Sequence, residues 1–410
     1  MTVSLADIRD AAKRLEGHVV RTPTVPAPAL SAEIGAEIWL KLETQQHTGS
    51  FKPRGAFVKI QSLTPAQRQA GVIAMSAGNH AQGVAYWAGR LGIPATIVMP
   101  KATPFSKVER TRTLGAKVEL HGDSLSEAAV HAEELSRKYG LTFVHPYDDE
   151  RVIAGQGTLA LEMLADAPDL DCLVIPIGGG GMVSGMAIAA KALKPGIEIL
   201  GVQSRLYPAM AEALRNQPPT SGGDTLAEGI AVKSPGMITR RIVSQHVSEI
   251  LLVEESAIER AVQRLAETQK IVSEGAGAAG IAAILGEAER FRGRRIGTVI
   301  CGGNIDSRIL ASVLMRGLVR DGRMARIRVE LSDAPGQLAV VASLIAEAGG
   351  NIVECYHQRL FQDVPIKHAE LDVVIETRDS EHVREILARL SDAGFPPRLL
   401  SATKEAGAVL

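Results

Sequence analysis

The stretch "CLVIPIGGGGMVSGMAIAA" (residues 172–190) decides how the chain is read. It carries no charge and is nearly long enough to span a bilayer. It also holds Pro176 and four consecutive glycines. A continuous helix is a poor reading, because each interior glycine costs about 1 kcal/mol and proline about 3 kcal/mol. A buried strand, a glycine loop and a helix fit better. Gly178, Gly179, Gly180 and Gly181 would surround a small concavity with bare amide N–H groups. The N-terminus of the helix adds about half a positive charge. A simple strand-to-helix turn needs only one or two glycines, so the loop reads as a phosphate cradle. It does not read as a nucleotide loop. Neither G-x-x-x-x-G-K-[ST] nor G-x-G-x-x-G is present, and the next strand ends at Gln203 with no acid to grip a ribose.

The alternation of strand and helix extends outward from this stretch. "GVIAM" (71–75), "PATIVM" (94–99), "AKVELHG" (116–122), "LTFVHP" (141–146), "IEILGVQS" (197–204) and "RIGTVICGGN" (295–304) read as strands with helical segments between them. Apolar strands alternating with helices imply parallel sheets covered on both faces. Ser4 and Asp7 have capping-box spacing ahead of a first amphipathic helix. Beyond Arg323 the pattern changes. "RIRVEL" (326–331) alternates polar and apolar residues, as a half-exposed antiparallel strand does. "NIVECYHQRL" (351–360), "HAELDVVIET" (368–377) and "PRLLSAT" (397–403) read as further strands. Helices fall at 333–350, with an apolar stripe of Leu338, Val341 and Ile345, and at 380–394. The order β-α-β-β-α-β is the ferredoxin-like layout. The expected domains are 1–322, with a smaller lobe at about 50–155 inserted, and 323–410.

The bulk numbers exclude several classes. The 410 residues are 46% hydrophobic and 22% charged with a formal net charge of −1, ordinary for a globular protein and unlike a nucleic-acid binder. Cys172, Cys301 and Cys355 lie far apart, so neither a disulfide framework nor a zinc knuckle is expected. "MTVSLADIRDAAKRLEG" lacks a basic n-region and an apolar h-region. A cytoplasmic location without membrane or nucleic-acid partners is the expectation.

Two more motifs bring chemistry. "MSAGNHAQG" (75–83) follows a strand and opens a helix, so Ser76, Ala77, Gly78, Asn79 and His80 form a turn suited to a carboxylate; Ser76 or Asn79 would also serve simply as a helix cap. "TGSFKPRGA" (48–56) places one lysine, Lys52, between Phe51 and a proline. A lysine, a phosphate cradle and a carboxylate cradle together point to pyridoxal phosphate acting on an amino acid. The lysine would bond the cofactor's aldehyde, the substrate amine would displace it, and the freed lysine would serve as a base. That requires a partly dry site, where burial lowers a lysine's pKa.

"SFKPRG", "SAGNHAQG", "GGGG", "SEGAGAAG" and "CGGNID", in this order, resemble the fold-type II pyridoxal phosphate enzymes, and most closely the threonine/serine dehydratases. The likeness covers about the first 320 residues. It implies a two-lobed, tryptophan synthase β-like α/β fold. The last part resembles an ACT regulatory domain, with "DAPGQL" and "GGNI" as its ligand-side turns. The implied reaction is dehydration and deamination of L-threonine to 2-oxobutanoate and ammonia, with L-serine giving pyruvate as a side activity. A serine racemase or hydroxyaspartate dehydratase of the same fold is the alternative; one of another class is a non-catalytic amino-acid sensor.

The resemblance also implies roles. Lys52 bonds the cofactor and moves the Cα proton, and Phe51 walls the ring. Asn79 bonds the ring hydroxyl, and residues 76–80 receive the substrate carboxylate. Gly178, Gly179, Gly180, Gly181 and Met182 cradle the phosphate. Cys301 stands beside the pyridine nitrogen, where many relatives carry Ser; read by itself it is a small buried apolar residue. Glu274 faces the ring on a glycine-rich turn, and Gly229 brings backbone close to the cofactor. Ala77 replaces the second hydroxyl of the racemases. Gln203 and Ala209 stand where those enzymes bind a divalent metal, so no metal site of that type is expected. In the C-terminal domain, Asp333, Pro335 and Gly336 would receive an amino-acid effector such as isoleucine or valine, with Asn351 facing them. A purely structural pairing module is the alternative there. A homodimer or homotetramer is expected.

Overall fold

The apolar run resolves into the strand Cys172–Pro176, a glycine loop and the helix Gly181–Leu193. The structure, a computed structural model, describes residues 3–358 and 367–400. All five residues of Cys172–Pro176 are buried, as a strand covered on both faces must be. It lies parallel between Arg295–Ile300 and Glu198–Ser204. Glu37–Leu42 and Glu249–Val253 extend this sheet in parallel, and only the edge strand Thr24–Pro26 runs antiparallel. The helix Gly181–Leu193 packs against the helix Glu150–Asp166. The two backbones are so close that a methyl group on Gly185 would overlap the carbonyl oxygen of Ile153.

A second, four-stranded parallel sheet holds Lys117–Leu120, Ala95–Met99, Val72–Met75 and Thr142–Phe143 in that order. The expected strand at 141–146 is thus two residues long. The chain leaves the sheet there, after Val144 donates its N–H to the Ile73 carbonyl at 2.9 Å. The strands Glu37–Leu42 and Glu249–Val253 were not expected. The first carries two charges in six residues, and the second, at a sheet edge, alternates half-buried and buried positions after an exposed Glu249.

The helix Lys52–Gln61 starts with Lys52 and has Pro53 in its first turn, where a missing N–H costs nothing. It packs on Asn79–Arg90 and on Glu150–Asp166. A Cβ on Gly155 would lie 2.7 Å from the Gly55 Cα, so this contact also depends on glycine. Next to it Arg54 is fully buried. Its Nε and Nη2 donate to Glu43 at 2.9 and 2.8 Å, and its Nη1 and Nη2 to Glu162 at 2.6 and 2.9 Å. Lys41, also fully buried, donates to Glu162 at 2.6 Å and to the Thr22 carbonyl at 2.6 Å. Burial opposes the charge on Arg54, but its two carboxylate partners outweigh that and hold its pKa above the ordinary value. At Lys41 burial wins and lowers the pKa, despite Glu162.

Two compact units divide the chain, Met1–Ile305 and Asp306–Leu410. The helix Ser307–Arg320, placed with the first domain by the sequence, groups with the second unit. Its end is tied into that unit's sheet: Thr377 Oγ1 donates to the Gly322 carbonyl at 2.6 Å and Thr377 N–H to the Arg323 carbonyl at 3.0 Å. The sheet order is Asn351–Gln358, His368–Glu376, Met324–Ser332, Pro397–Leu399, with every neighbouring pair antiparallel. With helices Gln337–Glu347 and Ser380–Asp392 this is the ferredoxin-like β-α-β-β-α-β unit. Ile327, Val329, Val341, Ile345, Val373 and Ile386 are in its core. Leu338 is not; it is 38% exposed, and the buried line of its helix runs through Val341, Ile345 and Ala348. The expected strand ends at 359–360 and 401–403 lie outside the described residues.

Replacing Arg54 with Met leaves the buried Glu43 and the half-buried Glu162 with one cation, Lys41, between them. The expected loss is about 3–5 kcal/mol of unfolding free energy in a denaturant titration; an Arg54→Met protein as stable as the original would show that the network does not hold the fold.

Candidate active site

Lys52 stands where both sheets of the first unit end. The residue before it, Phe51, donates its N–H to the Cys301 carbonyl at 3.1 Å, and Ser50 bridges to Gly302. The start of the lysine helix is therefore stitched to the "CGGN" turn after Arg295–Ile300. Lys52 Nζ donates to the Pro146 carbonyl at 2.8 Å and lies 5.1 Å from the Phe51 ring centroid. Burial lowers its pKa to about 8, so an appreciable fraction of the amine is unprotonated near neutral pH.

The glycine loop adjoins this lysine through Tyr147. A Cβ on Gly179 would overlap the Tyr147 ring, and one on Gly181 would come within 3.0 Å of the Tyr147 Cα. Gly180 has φ +96°, a conformation that glycine adopts without strain. Thr239 Oγ1 donates to the Gly179 carbonyl at 2.7 Å. A trans peptide points its carbonyl and its following N–H in opposite directions, so the Gly180 N–H is aimed away from Thr239. Among the described residues, the N–H groups of Gly178, Gly179, Gly180 and Gly181 make no backbone hydrogen bond. Met182 is buried in the first turn of the helix. This is a cradle of free donors at a helix N-terminus, where an anion is favoured.

Asn79, Glu274, Gly229 and Cys301 close the other side. Asn79 Nδ2 donates to Glu274 Oε1 at 2.8 Å. A Cβ on Gly229 would lie 3.0 Å from Glu274 Oε1, and one on Gly302 would lie 2.6 Å from it. Burial pushes the Glu274 carboxyl up to about 7, against the Asn79 bond, which lowers it. Burial, with Glu274 nearby, also raises the Cys301 thiol far above its usual range, so it stays neutral.

The turn at 76–80 is partly engaged. Ser76 Oγ accepts the Gly78 N–H at 3.1 Å, and the helix Asn79–Arg90 begins directly after. Ala77 presents only a methyl group. The His80 side chain is not part of the turn's open face. It is buried, its Nε2 donates to the Val144 carbonyl at 2.7 Å, and burial lowers its pKa to about 3. What His80 offers an anion is its backbone N–H.

Sequence reasoning overlooked four contributors. Pro146 was read as the end of a strand, and Asn304 was quoted in a motif but given no role. Tyr147 and Arg110 were not singled out. The clue for Asn304 was an amide at the end of a glycine turn after a buried strand. In the second unit the effector residues are not brought together. Asn351 pairs with Glu376, as Met324 does, whereas Ser332, which leads into Asp333, Pro335 and Gly336, pairs with His368 at the other end of the sheet. The Asn351 amide donates to Glu376 at 3.2 Å.

The groups around Lys52 fit pyridoxal phosphate: an amine for its aldehyde, free amides for its phosphate, an amide side chain for its hydroxyl and a neutral thiol for its ring nitrogen. Without the cofactor, the half-buried, desolvated lysine has a cost. A base whose folded pKa is lowered destabilises the fold while it must carry its proton, below about pH 8. That cost fades as pH rises toward the unfolded value near 10.5. Apoprotein carrying Lys52→Met is expected to gain about 1–3 kcal/mol over the unaltered apoprotein at pH 7, a figure reduced for cleft water. By pH 10 most of the gain is lost. Urea titrations at both pH values check this, and a pH-independent difference would contradict it.

Residues 15–302 match the family described as pyridoxal-phosphate dependent enzyme. The chain is 43% identical over 400 residues to the L-threonine ammonia-lyase of Thermotoga maritima, covering 97% of this chain and all of the relative. Among solved structures, it resembles the processed form of threonine deaminase isoform 2 from Solanum lycopersicum, with 34% identity, a TM-score of 0.72, and 76% and 86% of the two chains covered. It also resembles maize serine racemase, with 32% identity, a TM-score of 0.73, and 78% and 99% covered. The glycine cradle, the desolvated lysine and these likenesses agree, and the chain belongs to the pyridoxal-phosphate dependent enzyme family.

Proposed function

We infer that the chain is an L-threonine ammonia-lyase, converting L-threonine to 2-oxobutanoate and ammonia and, less readily, L-serine to pyruvate. The observation that carries this reading is a lysine amine of lowered pKa beside a glycine cradle, in a chain alike over 97% of its length to a protein of that name. Pyridoxal phosphate, when bound, supplies an aldehyde for the substrate amine and an electron sink for Cα. The residues do the rest. The amides of residues 178–181 hold the phosphate, and those of the 76–80 turn hold the substrate carboxylate. Lys52 Nζ takes the Cα proton, and its lowered pKa makes it a competent base near neutral pH. The Cys301 thiol offers the ring nitrogen no negative charge, which weakens the electron sink and favours prompt loss of the β-hydroxyl.

The likeness to maize serine racemase favours a second reading. Ala77 opposes it, since a methyl group has no proton to return to the opposite face of Cα. Lys52→Ala is expected to lower 2-oxobutanoate formation by a factor of about 10³ or more. Full activity in that variant would refute the mechanism, and formation of the D-isomer alone from the unaltered enzyme would refute the reaction.

The second unit is read as an ACT regulatory module that binds isoleucine or valine at the Asp333–Pro335–Gly336 loop, in a homodimeric or homotetrameric enzyme of cytoplasmic amino-acid metabolism, in the isoleucine-forming direction. Its ferredoxin-like order supports this, as does an exposed loop ahead of the helix Gln337–Glu347. Among the described residues, no helix is long and apolar enough to cross a membrane. Removal of residues 306–410 is expected to leave turnover within about threefold while abolishing any response to isoleucine, as for a separable unit. A truncated enzyme with an unchanged response would exclude this role.

A further inference from the structure

Asn304 makes a set of contacts that neither its motif nor the proposed mechanism accounts for. Its Nδ2 donates to Asn79 Oδ1 at 2.8 Å and to the Thr48 carbonyl at 2.7 Å. Its Oδ1 accepts from Arg110 Nη1 at 3.0 Å. Arg110 lies on the helix Phe105–Thr113, which belongs to the four-stranded lobe, whereas Asn304 and Glu274 follow strands and turns of the six-stranded lobe. The same helix reaches across a second time, where Lys107 pairs with Glu228 at 2.5 Å, next to Gly229. Thr48 sits at φ +62°, a position uncommon for a residue with a side chain, only four residues before Lys52. The Gly303 N–H donates to the Gly49 carbonyl at 2.9 Å and braces the same turn.

The direction of these bonds carries the argument. An amide side chain is nearly symmetric in shape but not in chemistry: one end only accepts, and the other only donates. A guanidinium can only donate. Arg110 therefore obliges Asn304 to turn its oxygen outward and its nitrogen toward Asn79. Asn304 in turn obliges Asn79 to turn its oxygen away and its nitrogen toward Glu274 and the cleft. Glu274 at the far end accepts. Each link removes one of two orientations from the next. The Asn79 nitrogen is the donor that the cofactor's ring hydroxyl requires.

We propose that Asn304 is a positioning residue that sets the orientation of the Asn79 amide, and that Arg110 completes it from the opposite lobe. This rests on the functional reading above. Arg110 is exposed, so its bond adds little stability; its contribution is direction.

The test is a double-mutant cycle. Apoprotein of the unaltered chain, Asn304→Ala, Asn79→Ala and the double variant is titrated with pyridoxal phosphate, and kcat and KM for L-threonine are measured on the reconstituted enzymes. Asn304→Ala is expected to weaken cofactor binding about tenfold and to lower kcat more than it changes KM. In the Asn79→Ala background its effect should fall below about twofold. Additive losses overturn the proposal. Arg110→Lys keeps an obligate donor and should retain more than about half of kcat, whereas Arg110→Glu, which offers Asn304 an acceptor, should lower kcat in the same sense as Asn304→Ala. Equal behaviour of the two overturns Arg110's part. The Arg110 pair lies on the surface and decides the matter if Asn304→Ala does not fold. The titration is read on apoprotein, so it decides this proposal even if the unaltered enzyme fails to turn over L-threonine, a result that would refute the functional reading instead.

Discussion

The arrangement around Lys52 depends on a charge two residues further along, the buried guanidinium of Arg54. It joins Glu43, at the end of a strand of the large sheet, to Glu162, on the helix that backs the glycine-loop helix. Lys41 binds the same Glu162 from that strand. Charges taken out of water tolerate little misplacement, because an unpaired one costs several kcal/mol. Such networks are weak evidence for stability but strong constraints on position. The first turn of Lys52–Gln61 therefore cannot rotate or slide without unpairing Arg54. The glycine contact between Gly55 and Gly155 seats the same turn from its other side.

The site held in this way is poor in charge. Burial drives Lys52 down to about 8, Glu274 up to about 7, His80 down to about 3, and the Cys301 thiol upward. Each shift moves the group toward neutrality, as desolvation requires. Fixed dipoles supply the field in place of ions: the free amides of the glycine loop, the start of Asn79–Arg90, and the directed amides of Asn79 and Asn304. In a poorly hydrated cleft such dipoles act strongly and need no reorganisation when charge moves. A phosphate-bearing cofactor and a carboxylate substrate would bring most of the net charge with them.

Much of this was legible beforehand. "GGGG" and "CGGNID" follow neighbouring parallel strands of one sheet, so their loops lie at the same end of it; "SAGNHAQG" follows a strand of the other sheet, and Asn79 joins it to Glu274 and Asn304. The strand Glu37–Leu42 was not legible. Its charges suggest a surface; Glu37 is indeed exposed, and only the partners of Lys41 explain why that lysine is buried. Asn304 and Tyr147 are common loop residues, and nothing local separates them from solvated neighbours. The effector loop and Asn351 looked like partners because both belong to turns of one motif. The register of the C-terminal sheet places them at opposite ends.

By itself, then, the amino-acid sequence determined the local decisions: where glycine must replace a side chain, and where parallel-sheet periodicity gives way to antiparallel alternation. These are short-range consequences of backbone sterics and of apolar periodicity. Tertiary structure alone decided which charges share a partner, which way each amide points and how far the Lys52 amine is dried. Those properties depend on atoms that lie far apart in sequence, such as Arg110 and Asn304 or Asn79 and Glu274. No local pattern encodes the orientation of a hydrogen bond whose two ends meet only when the sheets have formed.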